Sequence, residues 1–360
     1  MHTEHVYIIA EAGVNHNGRR DLALALVDAA AHAGADAVKF QTFKAEKLAS
    51  PSAPKASYQK ANTRAAETQV EMLKKLELPC EWHTELLAHA QKRGIQFLST
   101  AFDAGSLDFL TTLDLPLYKI PSGELTNGPL LWGFARTGKP LVVSTGMATL
   151  AEVEEALAII AHGLTHAQEP SGLEEVWQDW SRPESRQALE GRIHLLHCTS
   201  RYPTPPEEVN LLAMETLAAS FGLPVGYSDH TEGWLIPVAA VARGARILEK
   251  HFTLDRTLPG PDHKASLEPD ELKHMIADIR ALELAMGSGR KAPQPGEWDT
   301  RRAARQQVVA ARDIAAESIM TRADLATARC GHGIEANQLW RLVGTRAKRR
   351  FAAGEALDHE

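Results

Sequence analysis

The chain has 360 residues, of which 24% are charged and 44% hydrophobic, and its formal net charge is −7. That length exceeds what one hydrophobic core usually supports, which favours one large domain followed by a small one. The chain is acidic overall and its basic residues are not concentrated in one stretch, so nucleic acid is not expected as a partner.

The cysteines and the apolar runs bear on the compartment. Cys80, Cys198 and Cys330 are widely spaced and form no Cys-x-x-Cys pair, which indicates reduced thiols rather than a disulfide framework. No apolar run approaches the length of a membrane span, and the first residues lack the basic and apolar regions of a signal peptide. These features predict a soluble, cytoplasmic protein with no membrane partner.

The first two strands are short apolar runs that end in polar residues. Residues 6–10 lead to Glu11 and a polar turn, and a helix is predicted from Asp21 to Ala33. Residues 36–41 form the second predicted strand, and a polar stretch follows from residue 42 to 68. A connection of this length after a strand is usually functional.

Strands and helices then alternate, interrupted only by an acidic, tryptophan-containing insertion that ends near Ser185. Strands are predicted at 95–100, 117–120, 140–146, 192–197, 225–231 and 247–252, and helices at 81–92, 106–113, 129–137, 150–162, 211–221, 234–244 and 269–286. Eight strand–helix units in order predict an α/β fold of the (β/α)8 TIM-barrel type. A doubly wound open sheet is the alternative, but Gly-x-Gly-x-x-Gly after the first strand is absent.

The domain boundaries follow from composition. Residues 1–288 are the predicted catalytic barrel, residues 289–305 a linker with Gly and Pro, and residues 306–360 a small C-terminal domain. A short strand is predicted in this domain at 308–311. With so little core, the small domain should lean on the barrel or on another subunit.

Polar residues end all eight predicted strands, where a parallel barrel brings distant side chains into one pocket. Two neutral imidazoles there, His230 and His251, could hold a divalent metal, although two ordinary barrel histidines are the alternative. Glu249 could hydrogen-bond a ligand histidine or pair with a lysine inside the barrel. The last polar residues of the strands are Glu11, Lys39, Thr100, Lys119, Ser144, His197, Ser228 and His251.

Ammonium and hydroxyl donors in this set suit phosphate and carboxylate oxygens, so the pocket is predicted to take an anionic substrate together with a metal. Lys250 should face the helix layer by strand alternation and is placed outside the pocket.

Ten ordered motifs span essentially the whole chain. They are Ile9 to Gly18, Val38 to Phe43, Lys119 to Glu124, Ser144 to Met147, Leu196 to Thr199, Tyr202 to Pro205, Tyr227 to His230, Glu249 to Thr253, Gly260 to His263 and Arg329 to Gly333. Together they resemble the sialic acid synthase family, which includes N-acetylneuraminate and legionaminate synthases. The C-terminal domain resembles the antifreeze-like SAF domain, a β-clip, of that family.

The resemblance implies a transferase that condenses phosphoenolpyruvate with an N-acetylated mannosamine-type sugar, releasing phosphate. His230 and His251 match the ligands of a divalent metal, typically Mn2+, with Mg2+ or Co2+ as alternatives. Glu11 and Glu124 match catalytic carboxylates. Residues matched to phosphoenolpyruvate are Lys39, Thr100, Lys119, Ser122, Ser144 and Ser228. Residues assigned to the sugar are Tyr202, Asp262 and Arg329, with Tyr58 and Gln59 in the long loop.

Two acceptor sugars fit the resemblance. N-acetylmannosamine, which gives N-acetylneuraminate, is expected as the commoner acceptor; 2,4-diacetamido-2,4,6-trideoxymannose, which gives a legionaminate, is the alternative. A metal-dependent aldolase would share the barrel but would not need the SAF domain. A non-catalytic sugar-binding barrel should have lost residues at the strand ends, yet these are present.

The resemblance also implies a domain-swapped homodimer, in which Arg329 reaches the sugar of the other subunit. The motif that begins at Arg329 departs from the usual Arg-Pro-Gly-Asn-Gly, since Cys330 and His332 replace Pro and Asn. Losing Pro frees the backbone of this loop, and His332 adds a group that can titrate.

Overall fold

Eight parallel strands form one sheet in the first of two compact units, Met1–Gly287 and Ser288–Glu360. The computed structural model describes residues 5–63 and 67–358. The strands are β1 (Tyr7–Gly13), β2 (Ala37–Thr42), β3 (Gln96–Ala101), β4 (Tyr118–Ile120), β5 (Leu141–Ser144), β6 (Ile193–Cys198), β7 (Val225–Asp229) and β8 (Ile247–His251).

The hydrogen-bonded order of the strands is β3-β2-β1-β8-β7-β6-β5-β4, so the first strand pairs with the last. β3 and β4 are neighbours and complete the ring, although no ladder joins them among the described residues. Pairing of β1 with β8 closes the sheet on itself, which an open doubly wound sheet does not do. The predicted (β/α)8 barrel is confirmed.

Thirteen helices connect the strands in the described part of this unit. They are α1 (Arg20–Ala33), α2 (Ala45–Leu48), α3 (Ser57–Asn62), α4 (Gln69–Lys74), α5 (Cys80–Arg93), α6 (Ala104–Thr111), α7 (Gly128–Arg136), α8 (Leu150–Thr165), α9 (Leu173–Trp180), α10 (Pro183–Gln187), α11 (Ala213–Phe221), α12 (Leu235–Ala242) and α13 (Pro269–Met286). The polar stretch after β2 contains α2 and α3 rather than irregular chain, and its residues 64–66 lie outside the described residues. The insertion after α8 contains α9 and α10.

Local sequence explains where α8 begins. The Thr149 hydroxyl accepts a hydrogen bond from the Glu152 backbone N–H at 3.3 Å, and the Glu152 carboxylate accepts one from the Thr149 N–H at 2.7 Å. This reciprocal capping box satisfies backbone donors that the first turn of a helix leaves free.

Strand side chains alternate between the helix layer and the barrel interior. The large core outside the sheet includes Ile8, Phe40 and Leu248, each 0% exposed. The interior holds a separate apolar layer, called here the floor: Tyr7, Ile9, Ala37, Leu98, Leu117, Val142, Leu196 and Ile247. At the level of the floor, β7 carries Gly226. A larger residue does not fit there, because a Cβ would lie 2.2 Å from the Ile247 carbonyl oxygen.

The second unit has two antiparallel strands, β9 (Gln307–Ala310) and β10 (Leu325–Ala328), and two short helices, α14 (Trp298–Ala304) and α15 (Leu339–Leu342). Its core is a small cluster built around Val308, Leu325 and Phe351. Among the described residues of the whole chain, no helix is both long and apolar enough to cross a membrane.

Candidate active site

A cavity of about 450 Å³ lies at the carboxyl ends of the strands of the first unit. Its volume is in the range of pockets that hold small ligands. The predicted site residues that line it are Glu11, Lys39, Tyr58, Gln59, Thr100, Lys119, Ser122, Glu124, Ser144, Tyr202, Ser228, His230, His251 and Asp262. Arg329, the remaining predicted residue, belongs to the second unit, directly after β10.

Strand alternation explains how residues so distant in sequence meet. On most strands the pocket residue follows a floor residue by two positions and therefore points the same way. Glu11 follows Ile9, Lys39 follows Ala37 and Lys119 follows Leu117. The polar layer of the pocket thus rests directly on the apolar floor.

Four buried charges form a continuous network in this polar layer. The Lys39 ammonium lies 2.6 Å from Glu11 Oε2 and 3.6 Å from Glu249 Oε2, and it donates to Thr100 Oγ1 at 3.1 Å. Lys119 lies 3.3 Å from Glu249 Oε1. Glu249 therefore pairs with lysines, the second of the two roles predicted for it. No contact among the described residues makes it a hydrogen-bond partner of His251.

The pKa values of the two carboxylates in this network are shifted in opposite directions. Burial raises the pKa of Glu11, and the nearby Lys39 offsets the effect only in part. Burial also acts to raise the pKa of Glu249, but Lys119 and Lys39 outweigh it and hold that pKa below its usual range. Glu249 is thus held as an anion, whereas Glu11 can carry a proton near neutral pH.

His230 directly follows β7 and His251 ends the neighbouring strand β8, with their rings 5.4 Å apart. His230 Nδ1 donates to the Thr199 carbonyl at 2.7 Å, so in the neutral ring the lone pair lies on Nε2. Burial and the adjacent His230 lower the pKa of His251, and its Nδ1 is buried without a hydrogen-bond partner among the described residues. Tyr202 packs against both rings, at 4.0 Å and 5.7 Å.

Hydroxyl groups occupy the side of the cavity formed by β4 and β5. Ser144 Oγ is buried and has no hydrogen-bond partner among the described residues. Ser122 Oγ accepts a hydrogen bond from the Gly146 N–H at 3.0 Å. A Cβ at Gly146 would lie 2.7 Å from Ser122 Oγ and 2.5 Å from Ser200 Oγ, so only glycine lets the backbone approach these hydroxyls. Glu124, nearby, accepts from Asn127 Nδ2 at 2.7 Å.

The long loop after β2 supplies the aromatic part of the cavity. The Tyr58 ring lies 4.9 Å from Tyr202, and Asn62 Nδ2 donates to the Pro261 carbonyl at 3.0 Å. Gln59 Oε1 accepts from the Ala56 N–H at the start of α3. Beside Pro261, burial raises the pKa of Asp262 to about 6.

His197 does not face the pocket, contrary to the expectation for β6. Its Nε2 is bonded to the Val209 carbonyl at 2.7 Å in the helix layer. Strand β6 continues one residue further, so Cys198, two positions after floor residue Leu196, lines the cavity instead. Gln41 was also overlooked, although it shares a strand face with Lys39; its Nε2 donates to Glu11 Oε1 at 3.2 Å.

Lys250 lies outside the cavity, as alternation predicts, but it has a strong partner. Its ammonium is 2.5 Å from Asp229 Oδ2 and donates to the Thr231 carbonyl, and both charged side chains are 0% exposed. Asp229 also accepts from Thr231 Oγ1 at 2.9 Å. This buried ion pair joins the end of β7 to the end of β8, next to the two histidines.

A buried network of lysines and carboxylates at the carboxyl ends of a closed (β/α)8 barrel defines an enzyme site suited to an anionic substrate. The chain belongs to the NeuB family, whose model matches residues 26–291, and it carries a SAF domain at residues 305–358. The family predicted from the ten motifs is confirmed.

Individual relatives cover nearly the whole chain. It is 46% identical over 351 residues to an N,N'-diacetyllegionaminic acid synthase of Legionella pneumophila, covering 98% of this chain and 93% of the relative. It is 45% identical over 350 residues to a protein of the same name from Campylobacter jejuni, covering 97% and 98%. A solved N-acetylneuraminic acid (sialic acid) synthetase of Leptospira borgpetersenii is similar with 33% identity, coverage of 82% and 90%, and a TM-score of 0.65.

Proposed function

We propose that this enzyme condenses phosphoenolpyruvate with an N-acetylated mannosamine-type sugar, giving a nine-carbon 2-keto acid and phosphate. The observation that carries the proposal is the composition of a single cavity. Buried ammonium and hydroxyl groups line one part of it, and a histidine pair and an aromatic loop line another. The names of the relatives, which are nonulosonic acid synthases, agree with this chemistry.

Phosphoenolpyruvate is assigned to the polar layer. Its carboxylate would pair with Lys39, whose ammonium already lies among acceptors. The unpartnered hydroxyl of Ser144 supports a phosphate oxygen as the missing partner. The full phosphate set is Thr100, Lys119, Ser122, Ser144 and Ser228.

A divalent metal is assigned to His230 and His251. The fit rests on the free lone pair at His230 Nε2 and on the unpartnered, buried His251 Nδ1. Manganese is proposed, with magnesium or cobalt as alternatives, and the bound ion would polarise the aldehyde oxygen of the sugar. Tyr58, Gln59, Tyr202 and Asp262, which line the adjacent part of the cavity, would contact that sugar.

The remaining chemistry falls to the carboxylates. Carbon 3 of the enol attacks the aldehyde carbon, which leaves positive charge at carbon 2, where water adds. The tetrahedral carbon then expels phosphate by cleavage of the carbon–oxygen bond. A protonated Glu11 can supply the proton of the new hydroxyl, and Glu124 can accept one from the attacking water.

Two acceptors remain as candidates. N-acetylmannosamine is the sugar expected from the sequence. The 46% and 45% identical relatives, both named for a diacetyllegionaminic acid, favour the diacetamido sugar. The two differ at sugar carbons 4 and 6, so the residues that contact those carbons, which we place in the Tyr58 loop, would discriminate between them.

Phosphate release from phosphoenolpyruvate tests the proposal. Release should require both a sugar and a divalent metal, and one sugar should be preferred by at least roughly tenfold in kcat/KM. Condensation of the sugar with a carbonyl donor other than phosphoenolpyruvate, without release of phosphate, would instead support an aldolase. No turnover with either sugar, in protein shown to be folded and supplied with Mn2+, would contradict the proposal.

The proposal extends to assembly. In a homodimer, the C-terminal domain of one subunit would cover the cavity of the other, so that Arg329 contacts the sugar there. The small core of the second unit and its exposed Trp340, 75% accessible, support a need for a covering surface. No arginine lines the described cavity, which leaves room for one to be supplied by a partner.

A further inference from the structure

Two histidines and an aspartate meet where the acidic insertion contacts the end of helix α8, at a place that the proposed function does not use. His162 lies in the last turn of α8, His166 directly follows that helix, and Asp179 lies on α9. Asp179 Oδ2 is 2.8 Å from His162 Nδ1 and 3.5 Å from His166 Nε2. None of the three lines the active-site cavity.

We propose that His162, His166 and Asp179 form a second metal site, which binds Zn2+ or a similar divalent metal ion. One ligand atom from each residue lies within 4.8 Å of the other two. Zinc binds imidazole nitrogen and carboxylate oxygen at about 2.0–2.2 Å, which places tetrahedral ligand atoms roughly 3.4 Å apart. The two observed separations from Asp179 lie on either side of that value. A water molecule would supply the fourth ligand.

The surroundings favour this role for Asp179. Its other oxygen, Oδ1, lies 3.2 Å from Arg182 Nη1, so the carboxylate is oriented with Oδ2 towards the histidines. Glu175, one turn earlier on α9, adds negative charge. Hydrogen bonds from Ser171 lower the pKa of the Glu175 carboxyl, and the two nearby histidines contribute to that lowering. A cation between α8 and α9 would therefore be well compensated.

Binding requires one small rearrangement. The rings of His162 and His166 are stacked 4.2 Å apart at an angle of 7°, whereas an ion bound by both must lie near the plane of each ring. His166 can turn, because its side chain is 41% exposed and, in the part of the chain that the structure describes, its Nδ1 contacts Thr165 and His162 beside it. His162 is 1% exposed and stays fixed, so His166 provides the path by which the ion enters.

The test uses the full chain with His251→Ala, which removes one of the two active-site ligands. Zn2+ titration by calorimetry should show one equivalent bound with a Kd of micromolar or below. Adding His166→Ala should weaken binding at least a hundredfold, while His32→Ala, a matched change of an exposed histidine elsewhere, should not. Co2+ at the site should show the visible absorption of a tetrahedral ion.

No Zn2+ binding in the His251→Ala chain, or equal binding after His166→Ala, would overturn the proposal. If His251→Ala does not fold, the comparison moves to the otherwise unchanged protein. There His166→Ala should reduce the bound zinc by one equivalent and leave phosphate release intact. Unchanged stoichiometry would again overturn it. Failure of the phosphate-release assay alone would leave this site unaffected, so the two proposals are separately tested.

Discussion

The buried pair of Lys250 and Asp229 gives the sharpest prediction about stability. Lys250→Met keeps most of the side-chain volume but leaves the Asp229 carboxylate charged, without a cation, and 0% exposed. Breaking a buried pair by removing one partner costs about 3–5 kcal/mol, because the remaining charge is uncompensated. Lys139→Met is the matched control. The Lys139–Asp114 pair has a similar N–O distance, 2.6 Å, but its side chains are 37% and 89% exposed, so the loss should stay under about 1 kcal/mol.

Urea denaturation followed by tryptophan fluorescence measures both variants at pH 7.5. Asp229→Asn combined with Lys250→Met removes both charges and keeps an acceptor for Thr231, so it should recover at least half of the loss. Equal unfolding free energies for Lys250→Met and Lys139→Met would refute the reasoning. So would a double variant less stable than Lys250→Met alone.

Three further predictions concern catalysis, pH and assembly. Glu124→Gln keeps the shape of the side chain but cannot accept a proton. We expect kcat to fall about a hundredfold or more, while KM for phosphoenolpyruvate changes far less. An unchanged kcat would show that Glu124 has a structural role only. Burial lowers the pKa of His16 and of His83 to about 4. Below about pH 6.5 the unfolded chain therefore binds protons that the native state does not. Between pH 6 and 4.5 the unfolding free energy should fall by about 1 kcal/mol per pH unit for each histidine. Denaturation at several pH values should show this slope and a smaller one in His83→Gln; a flat profile would contradict it. Mixing Arg329→Ala with His251→Ala chains should restore phosphate release if sites are shared between subunits, and no recovery after verified subunit exchange would exclude such sharing.

The barrel and most of the pocket could be predicted because period-two alternation places a residue on a definite face. Alternation assigns the wrong residue to the pocket where a strand ends one residue later than predicted. For β6 that shift puts Cys198 in the pocket and His197 in the helix layer. Alternation also places Lys250 correctly outside the pocket, but it cannot find Asp229 as its partner, because the pairing depends on the neighbouring strand.

Contacts between separate helices and strands were harder still to predict from the sequence. His162 and His166 show helical spacing in the sequence, but their contact with Asp179 depends on how the insertion folds back as α9 onto α8. The partner of Glu249 was likewise left open by the sequence. Three-dimensional packing decided it, because Lys39 and Lys119 come from β2 and β4 and meet Glu249 only across the barrel interior.

The apolar floor of the barrel has a consequence for the traffic of molecules through the site. Leu98, Leu117 and Leu196, all at most 1% exposed, fill the interior beneath the polar layer, so packed side chains of the described residues close the cavity on that side. Substrates and products would therefore enter and leave through the same opening, at the carboxyl ends of the strands. If phosphoenolpyruvate binds at Lys39 and Lys119 and the sugar at Tyr58, as proposed, phosphoenolpyruvate would have to bind first and the product formed above it would have to leave first. The floor would then impose an ordered sequence of binding and release.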